Sequence, residues 1–248
     1  PNSSQKRNTF SLSATAQLTD KLEATGYVTY VNTKTVGRNS TGYNDNIVGF
    51  MRQWGQNNVD FARQKAAYEQ TGENITWNPK SPTDLQPIYW DNPYWTRYEN
   101  YQSDGRDRLT GYAQLKYQIA ENLSVTGKAA VDQYSEIQEE RRAVGSVATG
   151  FGINEGADGS YNRSDQTSGY LRRNINARET NLDVILNYSK NFSDDFSFSS
   201  FLGGNVRHET LNMVTAATNG GLKVPGVYSL QNTTDALPNP KERDETIE

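Results

Sequence analysis

Phe10-Ser11-Leu12-Ser13-Ala14-Thr15-Ala16-Gln17-Leu18, then Thr19-Asp20-Lys21, then Leu22-Glu23-Ala24-Thr25-Gly26-Tyr27-Val28-Thr29-Tyr30, is the stretch that decides the fold. Apolar and polar residues alternate strictly on both sides of a short acidic turn. A period of two puts all the apolar side chains on one face of a strand and fits no helix. The same device recurs at Ile119-Ala120-Glu121-Asn122-Leu123 and at Phe192-Ser193-Asp194-Asp195-Phe196, again flanked by alternating runs. Long polar segments separate the hairpins. Short turns at one end and long loops at the other are the mark of a transmembrane β-barrel wall.

The alternation predicts six antiparallel strands, near residues 9–18, 22–31, 109–119, 123–133, 180–192 and 196–207. Long loops are expected near 32–108, 134–179 and 208–248, and the charged segment Lys241–Glu248 reads as part of the last loop. Charge placement sharpens the reading. A basic side chain facing lipid at the bilayer midplane costs roughly 2–4 kcal/mol. Glu23, Lys116, Lys128, Asp132, Asp183 and Arg207 all fall on the polar face of their strands. Lys190 breaks the rule two residues from its turn, where a long side chain can reach the interface. Ile185 and Phe201 are apolar on the polar face, with no reading beyond packing in the lumen. A soluble β-sandwich also alternates, but it does not put every short turn on one side and every long connection on the other. Short turns belong in the periplasm and long loops outside the cell.

Composition alone points elsewhere. The 248 residues are 34% hydrophobic, mean hydropathy is −0.85, and no run approaches the roughly 20 apolar residues of a spanning helix. Barrel strands escape this test, because only every second residue meets lipid. A net charge of −4 gives no electrostatic support for nucleic-acid binding. The absence of cysteine excludes disulfides and thiolate metal sites, and His208, the single histidine, excludes a multi-histidine centre. Without a signal peptide, and with fewer strands than the smallest common barrels of about eight, the chain reads as an interior portion of a larger protein.

The segment 32–108 carries all four tryptophans, Trp54, Trp77, Trp90 and Trp95. Ile47, Phe50, Met51 and Trp54 follow helical spacing, so a short helix is expected there, capped by Asn44 or Asp45. Pro79, Pro82, Pro87 and Pro93 predict irregular chain around it. Aromatic richness argues for a compact loop. Tyr89, Trp90, Tyr94, Trp95 and Tyr98 are the candidate contacts for a ligand or partner, since aromatic faces suit the apolar faces of sugars; the alternative is that they pack the loop upon itself. Gly156-Ala157-Asp158-Gly159-Ser160 hints at a calcium loop but lacks the acidic spacing one requires. Glu139-Glu140-Arg141-Arg142 reads as a solvated or self-paired charge run, and Asn74-Ile75-Thr76 as a chance sequon. No nucleophile elbow or acid–base pair appears, so no enzyme, cofactor or metal is expected.

With Arg52-Gln53-Trp54, Asp91-Asn92-Pro93-Tyr94-Trp95, the hairpin Leu18–Leu22 and Arg108-Leu109-Thr110-Gly111 in this order, the chain resembles the SusC/RagA family of TonB-dependent outer-membrane transporters. The resemblance implies a portion of a 22-stranded barrel in the outer membrane of a Gram-negative bacterium, with the plug domain absent here. It further implies import of glycan fragments or peptides driven through TonB, a SusD-like surface lipoprotein as partner, and outer-membrane lipid around the wall. The other readings are a surface β-protein that binds without transport and a passive porin.

Overall fold

The computed structural model describes residues 2–38, 46–153 and 163–248. Seven strands form one antiparallel sheet: β1 (Ser4–Thr19), β2 (Leu22–Arg38), β3 (Gln102–Ala120), β4 (Leu123–Arg142), β7 (Gly169–Ser193), β8 (Phe196–Ala217) and β9 (Lys241–Ile247), hydrogen-bonded in that order. The sheet is open, with β1 and β9 at its edges. A two-residue pair, β5 (Thr149–Gly150) with β6 (Asp165–Gln166), folds over one end. The hairpins turn where the acidic turns stand in the sequence, at Thr19/Leu22, Ala120/Leu123 and Ser193/Phe196.

Directly paired residues share a face, so the register tests the charge segregation. Ala14, Gly26, Ala113, Ala129, Leu182 and Val206 form one continuous row across six strands. Ala16, Ala24, Leu115, Gly127, Val184 and Gly204 form the next. The opposite face carries Thr15, Thr25, Gln114, Lys128, Asp183 and Asn205 in one row. Large side chains on the apolar face stay open, among them Leu12 at 57%, Leu115 at 53% and Leu202 at 74% exposure. A sheet whose apolar face is uncovered along its whole width is a surface for lipid, since water would penalise it by about 25 cal/mol per Å².

The apolar band crosses the strands obliquely. At its upper edge the last apolar residues are Phe10, Tyr30 and Leu109, all in one row. That same row holds Gln133, Arg178 and Thr210 on β4, β7 and β8. There the continuous apolar run ends lower along the strands, at Val131, Leu182 and Val206, with Ile137 and Val214 isolated above it. The lower edge descends in the same direction. The row of Leu22 runs through Tyr117, Val125, Leu186 and Leu202, yet apolar residues continue below it to Phe192 and Phe196 on the last hairpin. Parallel oblique edges are what strands tilted by about 35–45° produce when the solvent boundary is a plane. Lys190, the exception, lies over the Phe192 ring at 5.2 Å near the lower edge. Ile185 and Phe201 do point from the polar face, Phe201 at 79% exposure.

Every long strand outruns the band. β7 has 25 residues and β8 has 22, against about 9–11 for a crossing. The excess lies at the loop end, in segments that read from sequence as loop. Polar residues dominate both faces there, with apolar ones such as Val36 and Ile137 scattered among them, so alternation stops while pairing continues. Asn8, Asn32, Asp107, Ser135, Asn176, Asn212 and Asp244 form a wholly polar row on the side that is apolar below. Lys241–Ile247 corrects the loop expectation outright. It is a strand paired with Glu209–Thr215, hidden from periodicity because charged residues occupy both its faces.

Candidate functional site

The connection between β2 and β3 folds into a small unit with its own core. α1 (Ile47–Gly49) continues into a π-turn (Phe50–Trp54), closed by Gly55 N donating to Phe50 O at 2.8 Å. The expected caps Asn44 and Asp45 lie outside the described residues. Asn46 is the cap, its Oδ1 accepting from Gly49 N at 2.8 Å. The wider π-turn alters the face that helical spacing implied: Phe50 is buried, while Met51 and Trp54 stay exposed. α2 (Phe61–Thr71) and α3 (Pro93–Glu99) complete the unit. Both carry sequence signals that apolar periodicity does not register. Asp60 caps α2 and Gly72 ends it at φ 69; Asn92 caps α3 with Pro93 in its first turn.

Phe50 is the hub. Its ring lies 6.2 Å from Phe61, 6.4 Å from Trp77 and 5.8 Å from Trp90, and Trp90 stacks on Trp54 at 5.4 Å. Trp95, on α3, packs toward Gly145, where a Cβ would stand 3.8 Å from the indole. Tyr98 stacks on Tyr68 at 5.5 Å, joining α3 to α2. Burial and the hydrogen bond to Glu99, 2.7 Å away, push the Tyr68 phenol up.

Buried asparagines knit this unit together, and Asn74 with the Asp91–Arg142 ion pair ties it to the end of β4. Asn92 is fully buried and satisfied: its backbone N donates to Asn74 Oδ1, its Nδ2 to the carbonyls of Gln64 and Ile75, and its Oδ1 accepts from Tyr94 N. Asn74, in the sequon read as chance, is 7% exposed and donates to Asp91 Oδ1 at 2.7 Å and Gly145 O at 2.9 Å. Asn78 donates to Trp90 O and accepts from Tyr89 N and Trp90 N. Asp91 also accepts from Val147 N at 2.7 Å and faces the Arg142 guanidinium at 3.5 Å, both side chains buried. The run Glu139–Arg142 is therefore divided. Arg142 is interior, at the top of β4. Arg141 pairs with Glu139 at 2.8 Å and lies against the rings of Tyr101, Tyr170 and Tyr228. Burial first, then the charges of Glu99 and Tyr101, push the Tyr228 phenol up to about 12.

Between the π-turn and the sheet lies a cavity of about 480 Å³, within the size range of small-ligand sites. Ile47, Phe50, Trp54, Tyr89, Trp90 and Pro93 form its apolar wall, and Asp91 and Arg142 its polar floor. Of the five residues singled out in the sequence, Tyr89 and Trp90 line it. Tyr89 is 71% exposed at the rim, whereas Trp90 is half-buried in the aromatic core. Tyr94, Trp95 and Tyr98 sit on α3, away from the cavity lining. Trp54, Asp91 and Arg142 are the members that sequence reading missed as a group, since 37 to 51 positions separate Asp91 from the other two. The segment Gly156–Ser160 lies outside the described residues. Among the described residues, no cluster of three or more potential metal ligands occurs.

The oblique apolar band and the capped loop end define a portion of a transmembrane β-barrel wall. Solved structures share this fold. A chain of the RagAB peptide importer in its "open-open" state matches with a TM-score of 0.63 at 11% identity, over 98% of this chain and 24% of that one. A chain of the RagAB peptide transporter matches at 0.64 and 10% identity over 98% and 25%, and one in the "closed-closed" state at 0.61 and 12% over 98% and 24%. This chain thus spans about a quarter of the length of the solved chains it matches. No protein-family model and no curated protein matches the sequence.

Proposed function

We propose that this chain is part of the wall and mouth of an outer-membrane importer that takes up peptides or glycan fragments through TonB, with a SusD-like lipoprotein seated over the loop end. The observation that carries the reading is the two-zone wall: an apolar belt for lipid below, and above it tall polar strands crowned by an aromatic-lined cavity. Shared fold with chains of a peptide importer supports it. In this reading the turns at Leu18–Leu22, Ile119–Leu123 and Phe192–Phe196 face the periplasm, and the Tyr89–Tyr98 segment meets substrate or lipoprotein at the extracellular mouth. Indole and phenol rings give large rigid contact area, and the Asp91–Arg142 floor adds polar groups for an amide or a hydroxyl.

The test uses the full-length protein that contains this chain, in cells and at matched surface abundance. Uptake of candidate peptides and oligosaccharides is measured with and without TonB. Uptake that vanishes without TonB supports the importer. Uptake independent of TonB means a passive pore, and surface binding without uptake means an adhesin-like protein.

A further inference from the structure

At the upper edge of the apolar band, on the lipid-facing side of the wall, a groove of about 500 Å³ runs from Tyr30 on β2 across β3, β4, β7 and β8. Arg178 stands in it, exposed, directly between Gln133 on β4 and Thr210 on β8. Ser135, Asn176 and Asn212 line the groove one row higher. Arg178 makes no ion pair or side-chain hydrogen bond among the described residues. The groove's carboxylate, Asp107, is engaged on its own side, accepting from Tyr30 Oη at 2.5 Å and Asn32 Nδ2 at 2.7 Å. Those bonds favour its charged form and occupy it with partners other than Arg178. The contrast with the other face is sharp. There Arg106, Arg108 and Arg207 each pair with a carboxylate.

We propose that this groove seats the phosphate of an outer-leaflet lipid headgroup, with Arg178 as its anchor. The inference rests on the wall reading given above. Leu182 is the last apolar outward residue of β7, and Arg178 lies four positions beyond it. For a strand tilted about 40° that is roughly 10 Å of height, and an arginine reaches back several ångströms along the surface. The guanidinium therefore lies where acyl chains give way to headgroups. A planar fork of donors suits phosphate oxygens, and the amide and hydroxyl groups of Gln133, Ser135 and Thr210 supply further neutral donors. An outward cation without a carboxylate partner, flanked by the neutral groups of Gln133 and Thr210 at headgroup height, is complementary to an anionic lipid.

Native mass spectrometry of the full-length protein in detergent tests this, with lipid A, dephosphorylated lipid A and inorganic phosphate as probes. The wild type should retain lipid A over its dephosphorylated form. Arg178→Gln should lower that retention about tenfold, the effect of one charge-assisted contact, and Arg178→Lys should restore part of it. Arg173→Gln, on the opposite face of the same strand, should leave it unchanged. Heat-modifiable migration in gels confirms that each variant is folded. Equal retention by Arg178→Gln overturns the proposal, as does equal loss in Arg173→Gln or full displacement of lipid by inorganic phosphate. A single cysteine, Leu202→Cys, separates the two readings in reconstituted protein, the chain having none of its own. Labelling there by a water-soluble maleimide would sink the wall itself, whereas protection alongside unchanged lipid retention sinks the groove alone.

Discussion

The two halves of each long strand obey different rules. Toward the short turns, one face is apolar, side chains are small or aliphatic, and the opposite face is threaded with hydroxyls, amides and paired charges. Toward the loops, polar residues dominate both faces and bond one another: Arg106 bonds Glu136 at 2.7 Å, Ser135 bonds Asn176 at 2.7 Å, and Asn212 bonds Asp244. Backbone pairing is the same in both halves. The difference teaches that period-two alternation reports where a strand meets two unlike solvents, and says little about where the strand ends.

The largest effect that distinguishes the halves should come from Asp91→Ala. It takes the carboxylate away from the buried Arg142 guanidinium, which keeps the Val147 carbonyl, and removes the acceptor for Asn74 and Val147. Breaking a buried pair costs about 3–5 kcal/mol. Proteolysis of intact cells should then cut within residues 46–101, while the barrel stays folded in heat-modifiability gels. Joint loss of both would show that cap and wall are one cooperative unit.

Leu202→Arg comes next. It faces outward in mid-band on β8 and should destabilise the membrane half by roughly 2–4 kcal/mol. Asn205→Arg, on the polar face of the same strand, should cost far less. Denaturant unfolding in lipid vesicles compares them, and similar losses would break the assignment of the two faces.

Tyr89→Ala should weaken binding of substrate or lipoprotein by about 2 kcal/mol if the rim is a hot spot, with surface display intact. Trp90→Ala, in the aromatic core, should instead loosen the cap. Co-purification of the lipoprotein at matched abundance reads the first, and protease protection the second. If the two variants behave alike, rim and core have no separate roles.

The smallest effect concerns pH. Tyr228 has a phenol raised to about 12 in the folded protein, against about 10 unfolded. The folded state then binds the proton more tightly, so the stabilisation is whole below pH of about 10 and is lost as pH rises toward 12. Ultraviolet titration should show several late-ionising phenols, Tyr68 among them, and Tyr228→Phe should remove one. An unchanged titration curve in that variant would mean that the phenol is not held by its surroundings.

The hairpins, the sidedness of the lower strands and the placement of the charges are legible in the residues alone, because a planar lipid boundary writes a local, two-residue code. Phe10 to Tyr30 carries that code without help from any distant residue. The code was silent on the upper strands, on β9 and on α2, whose apolar residues are too few and too scattered to show a period. It also left undecided whether the aromatic residues of the long loop pack inward or face out. Tertiary structure alone decided that Trp90 stacks on Trp54 while Tyr89 stays open, that Asp91 meets Arg142 across 51 positions, and that Arg178 pairs with no carboxylate among the described residues. These are relations between segments brought together only when long strands pair in register, and no local pattern encodes them.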